Sequence, residues 1–214
     1  AAYPFVQEYA VGLYGLGRIG EAIDAIDREL ENTSAGYVSE EREQLGLLKG
    51  IILGANSEIG RVALKTLILN GQGRETMGIA LQLLARVPNQ DADLLNFLKV
   101  VLSRNEPHLL QGQMYYLRSQ LAMKMAQQGS VEERVGLMAI AESDARTLLD
   151  QFPGLSQITN VYRLLAYAAL ERQPAQYRAA ADFLIQLRDQ SREGEDFVEV
   201  NRLIGDCYFL NRDF

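Results

Sequence analysis

Apolar residues recur at three- and four-residue spacing through most of the chain, as in Tyr115, Leu117, Leu121 and Met125, or Ala180, Phe183, Leu184 and Leu187. A helix turns once in 3.6 residues, so this period lays an apolar stripe along one side of each helix. Strand-like alternation is nearly absent; Gly36-Tyr37-Val38 comes closest. The pattern predicts helices over about 4–15, 18–31, 39–54, 57–70, 74–87, 91–104, 107–128, 131–151, 155–172, 175–190 and 195–212.

Start and stop signals agree with that reading. Ser130 followed by Glu133 has the capping-box pattern, in which a hydroxyl and a carboxylate satisfy the free amides of a first turn. Gln173-Pro174 places a proline at a first helical position, where its missing N–H is harmless. Pro88-Asn89 and Pro153-Gly154 interrupt helices. Turns fall near 16, 55, 88, 129, 173 and 212, a helical hairpin about every 39 residues, within the range of stacked helical repeats. The expected fold is all-α, a superhelical stack of about eleven antiparallel helices forming one array over residues 1–214.

Composition narrows the function classes. The 214 residues carry 28 acidic against 21 basic side chains, a net charge of −7, with no basic run. Nucleic acid and anionic membrane are therefore not expected as main partners. The longest apolar stretch, residues 45–55, holds Lys49 and has about half the length of a membrane span, so no membrane insertion is expected. The chain begins at Ala1, which leaves an upstream signal, and hence a cytoplasmic or periplasmic location, open. Cys207 is the single cysteine and sits at helical spacing from Leu203 and Leu210, as a small core residue would. His108 is the single histidine and reads as a surface or turn residue. With one of each, neither a tetrahedral metal set nor a His-assisted nucleophile can be assembled, and no cofactor is expected. Acid pairs such as Asp24 and Asp27, Glu40 and Glu41, or Glu132 and Glu133 read as solvated helix faces.

Residues 14–23, YGLGRIGEAI, hold Gly15-x-Gly17-x-x-Gly20, the spacing of a dinucleotide-binding turn. That chemistry needs a strand before the first glycine and a second strand ending in an acid about twenty residues on. Val11–Tyr14 would have to be the first, and Gly36–Val38 with Glu40 the second, yet both are flanked by helical pattern. Another reading covers the same residues. Tyr9-Ala10, Leu13, Gly17 to Ala22, and Ile26 resemble the tetratricopeptide repeat: a small residue on each helix, a glycine turn, then Glu-Ala. Two antiparallel helices approach closely only where both backbones are bare, and Ala10 and Ala22 supply those points.

The resemblance recurs at Ala141, Ala145, Leu148 and Pro153, at Tyr167-Ala168 followed by Tyr177, Ala180, Leu184 and Leu187, and at 203–214. It is good over 3–31 and 141–214 and poor over 35–130, where Gly46, Gly50 and Gly54 form a small-residue row suited to a close neighbour. The last helix, with Leu203, Ile204, Tyr208, Phe209 and Leu210, expects cover, so the chain is expected to belong to a longer array or to meet a second chain.

The resemblance implies a scaffold whose concave face, built from the first helix of each hairpin, holds a partner peptide or helix. Carried over by position, that face includes Gln7, Tyr14, Tyr162, Arg172, Glu199, Arg202 and Asp206. The Lys and Asn set with which some members clamp a C-terminal carboxylate is absent from the matching positions. Two alternatives stand beside a non-enzymatic scaffold: a self-associating assembly segment of a larger protein, and a nucleotide-dependent enzyme. Near-total helix by circular dichroism and no binding on titration with NAD are the expected results; saturable NAD binding would restore the enzyme.

Overall fold

The computed structural model describes residues 3–32, 39–104, 106–190 and 195–212. Among them the secondary structure is eleven α-helices and no strand. The helices follow the predicted ranges closely, and each packs mainly on its sequence neighbours. The contacts separate two compact units, Ala1–Leu110 and Gln111–Phe214.

The first unit holds α1 (Tyr3–Gly15), α2 (Ile19–Glu31), α3 (Ser39–Leu53), α4 (Glu58–Asn70), α5 (Arg74–Ala85) and α6 (Asp91–Leu102). Beyond sequential hairpin contacts, α1 touches α3 and α3 touches α5, so the odd helices share one layer. Ala10 and Ala22 are fully buried between α1 and α2, beside Leu13 and Ile26. Gly17 reverses the chain with φ +75, a left-handed conformation that a side chain resists. Residues 11–14 are helical, so a turn between helices, not a strand, accounts for these glycines. The Gly36–Val38 candidate strand lies outside the described residues.

The glycine row on α3 does bring a neighbour close. A Cβ on Gly50 would lie 2.5 Å from Leu64 Cδ2 on α4, whereas one on Gly46 would reach only Leu67 Cδ1, at 3.8 Å. Gly54 ends α3 in the left-handed region, φ +78, and a Cβ on Gly60 would fall 2.0 Å from its carbonyl oxygen. Ser57 caps α4, its hydroxyl accepting the Gly60 N–H at 2.9 Å.

Two polar ties reach further along the chain. Glu43 of α3 is nearly buried and accepts the N–H groups of Gln72 and Gly73 at 2.6 and 2.7 Å. The N-cap of α5 is Gly73, which has no side chain, so a carboxylate thirty residues upstream serves the start of that helix. His108 is a half-buried turn residue with both ring nitrogens engaged: Nδ1 accepts the Leu110 N–H at 3.0 Å, and Nε2 lies 2.9 Å from the Ile68 carbonyl. Acceptance at Nδ1 places the proton of the neutral ring on Nε2, which donates to Ile68.

The second unit holds α7 (Gln111–Gln128), α8 (Val131–Gln151), α9 (Ile158–Glu171), α10 (Tyr177–Gln190) and α11 (Glu195–Asn211). The Ser130–Glu133 capping box is present at the head of α8. Pro174 is not at a first helical position: α10 starts at Tyr177, and its first hydrogen bond runs from the Ala180 N–H to the Gln176 carbonyl. Ala145, Leu148, Val161 and Leu165 form one core cluster, and Ala166, Ala180, Leu184, Ile204 and Cys207 belong to the next.

The glycines give opposite predictions. Replacing a helical glycine by alanine gains up to about 1 kcal/mol of helix propensity where there is room. Gly46→Ala is therefore expected to raise stability in urea denaturation by about that amount. Gly50→Ala forces a methyl onto buried Leu64, and overpacking of about 1–3 kcal/mol outweighs the gain, so a net loss is expected. Stabilisation by both substitutions would contradict the close approach.

Candidate functional site

The residues carried over by position fall in both units. Gln7 and Tyr14 are exposed on α1. In the second unit, Arg202 lies between Glu199 at 4.0 Å and Asp206 at 3.8 Å, all three exposed on one side of α11. Tyr162 is half-buried against the α9–α11 core, and its hydroxyl receives a long 3.4 Å contact from the Gln190 amide. Arg172, which follows the last turn of α9, binds Glu142 of α8, and Arg146 donates to the other oxygen of the same carboxylate at 2.7 Å. Burial pushes the Glu142 carboxyl up, but the hydrogen bonds and charges of the two arginines outweigh it and hold it below its ordinary value. Glu142 therefore supports the fold above the ordinary carboxylate range, and that support is lost as pH falls. The structure thus brings the α11 trio together, turns Tyr162 toward the core and engages Arg172 with α8.

Several grooves are large enough to hold a ligand segment, and three of them contrast in their lining. The one between α3 and α4, about 640 Å³, is apolar along Ile59, Val62 and Ala63. Its charged groups are engaged within the fold: Glu43 by backbone amides, Lys49 by Asp27 at 2.5 Å, and Arg42 by the Leu30 carbonyl. The second, about 610 Å³, runs between α8 and the end of α9 over Val131, Val135 and Met138. Its rim is likewise matched, Arg134 with Glu171 and Arg172 with Glu142.

The third groove, about 470 Å³, lies between α7 and α9. Met123 and Leu164 form its apolar floor. Gln120, Lys124 and Gln127 rise from α7, and Asn160, Arg163 and Tyr167 from α9, all exposed. None of the described residues lining it is a carboxylate. At one end the Tyr116 hydroxyl accepts from the Gln120 amide at 2.8 Å and the Asn160 amide at 3.2 Å, tying the two helices together. Each of those amides has a second N–H and a carbonyl oxygen beyond that bond.

The other side of α7 fixes this presentation. Arg118 is about 200° around the helix axis from Tyr116 and from Gln120. It forms a bidentate pair with Asp144 of α8, at 2.7 and 2.6 Å, and the carboxylate side chain is 3% exposed. The guanidinium also lies 5.5 Å from the Tyr115 ring centroid. This clamp sets the rotation of α7 and leaves the polar stripe facing outward. Burial pushes the Asp144 carboxyl above its ordinary value, against the hydrogen bonds and charge of Arg118.

Sequence reading did not single out this groove, because α7 falls where the repeat resemblance is poor. A signal was there nonetheless: Tyr116, Gln120, Lys124 and Gln127 recur at helical spacing on the side away from Arg118. Among the described residues no cluster of His, Cys, Asp and Glu is placed to hold a metal ion, and no helix is long and apolar enough to cross a membrane. No protein-family model matches the chain, and no curated protein matches it.

Removing Arg118 tests the clamp. A carboxyl raised in the folded state holds its proton more firmly there than in the unfolded chain, so it lowers stability as pH climbs from the unfolded value, about 3.9, through the folded one. Arg118→Leu strands Asp144 without its counter-charge and is expected to lose about 3–5 kcal/mol at pH 7. The deficit against the parent should shrink toward pH 4, where Asp144 takes up its proton. Urea denaturation at both pH values measures it; a deficit that grows on acidification would reject the clamp.

Proposed function

We propose that this protein is a non-enzymatic interaction scaffold, an array of tetratricopeptide type that holds a segment of a partner protein against its first-helix layer. The observation that carries the reading is the α7/α9 groove. Two helices from successive hairpins present amides, cations and a tyrosine around an apolar floor. Amide side chains can both donate to and accept from a peptide backbone, and tyrosine and arginine are frequent anchors of protein interfaces. The next first helix in the order, α11, adds the exposed Glu199, Arg202 and Asp206, while Gln7 and Tyr14 are the corresponding residues of α1. The tetratricopeptide resemblance supports the same use of this layer.

Self-association is the second reading. It is favoured by α1, where Phe5 and Tyr9 stack with centroids 6.1 Å apart and Phe5 is 69% exposed. An exposed aromatic pair at helical spacing suits a contact with another copy or with a larger assembly.

Partner capture from lysate of the source organism separates these readings. The intact chain serves as bait beside Gln120→Ala/Tyr167→Ala and Arg202→Glu/Tyr162→Ala. A protein held by the parent and lost by the first variant is expected, with a smaller loss for the second. Equal capture by all three would remove the first-helix face as the site. Recovery of the bait's own chain alone, with concentration-dependent sedimentation abolished by Phe5→Ser, would favour the assembly reading.

A further inference from the structure

We infer that the exposed side of α1 is an isologous contact, on which a second copy of this chain lays its own α1 antiparallel. This gives a geometry to the self-association reading above and rests on it. In Tyr3–Gly15 only Glu8 is charged, and only Gln7 joins it as a non-aromatic polar side chain. A helix apolar almost all round belongs in an interior. Yet α2 and α3 pack on the side that carries Ala10 and Leu13. Phe5, Tyr9, Gly12 and Leu16 line a second side, about 100° around the axis from the first. Leu16 follows the last turn, but its N–H still donates to the Gly12 carbonyl at 3.1 Å, so it continues the spiral. Phe5 is 69% exposed, Tyr9 49% and Leu16 74%. Glu8 lies about 70° off the centre of this stripe, which is itself uncharged.

The spacing names the occupant. Steps of four, three and four residues make the seam of a two-helix coil, and they read the same in both directions. Antiparallel pairing about a two-fold axis therefore sets each Phe5 against Leu16 of the partner subunit and each Tyr9 against Gly12 of the partner subunit. Large meets small at the centre of the seam. A Cβ on Gly12 would meet no described atom within 4 Å, so the space above it is open to a ring. Parallel pairing would set tyrosine on tyrosine and leave a gap over two glycines. The planes of Phe5 and Tyr9 are 3° apart, so the two rings present one flat surface before any contact forms. The exposed parts of these rings come to roughly 240 Å². With Leu16 and the flanks of the seam, about 500 Å² per copy is available, or ~1,000 Å² in the pair, the lower limit for a specific interface. A reversible dimer with a Kd on the order of 10–100 μM is expected.

Sedimentation equilibrium of the intact chain, from about 1 μM to 1 mM, reads the association. The dimer should tighten as salt screens the −7 carried by each copy. Gly12→Leu is the discriminating change. It fills space that is open in the single chain and raises helix propensity, so helix content by circular dichroism is expected to hold. It also takes the seat of the opposing ring, and should weaken the dimer roughly tenfold. Unspecific apolar adhesion would gain from the same leucine, so an equal or tighter dimer overturns the inference and leaves self-association standing. Orientation is read by mixing Phe5→Cys and Leu16→Cys chains under mild oxidation, with buried Cys207 kept out of the reaction. The mixed disulfide is expected to dominate, because like positions lie about 16 Å apart along the antiparallel seam, beyond disulfide reach. Dominance of like-with-like products overturns the inference. A monomer at every concentration overturns it together with the self-association reading and leaves the scaffold reading untouched. A different protein captured by the monomer and released by Phe5→Ser would overturn it too, by giving the stripe another occupant.

Discussion

Close approach of helix backbones is the constraint on which the rest of this molecule depends. A helix of twelve to twenty residues cannot bury its apolar stripe alone, so each must lie against its neighbours. The crossings are therefore built from residues with little or no side chain. Ala10 meets Ala22, Gly50 meets Leu64, and Gly60 sits on the carbonyl of Gly54. In the second unit, alanines at 166, 169, 180 and 181 line the contact of α9 with α10. Large side chains, Ile26, Leu45, Leu148 and Leu165 among them, fill the spaces beside these crossings.

Apolar contact of this kind is permissive in rotation, and polar ties remove that freedom. The Glu43 carboxylate reaches α5 only if α3 presents one particular side. Arg118 and Asp144 do the same for α7 and α8, and the carboxylate would be costly to bury in any other arrangement. The candidate groove depends on this second tie, because α7 can offer Gln120, Lys124 and Gln127 to the outside only while its Arg118 side faces α8. The presentation of one helix face is thus secured from the face behind it.

What could be read from the sequence divides along the same line. Helix positions were legible because caps and turns are local: Ser130 with Glu133, Gly17 between two helices, and Asn89 after a proline, which adopts a left-handed φ of 59. The polar ties were not, since their partners lie far apart along the chain: Glu43 and Gly73 by 30 residues, Arg118 and Asp144 by 26, His108 and Ile68 by 40. Glu43 reads locally as one more acid on a solvated face. The repeat resemblance places Tyr162 and Arg172 by spacing alone, which gives the helix face but not the neighbour each side chain finds. Pro174 reads as a helix start because spacing alone does not distinguish that position from the turn just before it.

Cys207 gives the second unit a built-in chemical reporter. It is the only thiol in the chain, and it is buried where α11 closes over α10. Burial, with a smaller push from Asp206, raises the thiol above its ordinary value, and so keeps it in the unreactive protonated form. An alkylating reagent can meet a thiolate there only after α11 has lifted away. The pace of modification then follows how often the last helix parts from the core, a single-site clock for local opening that needs no added label.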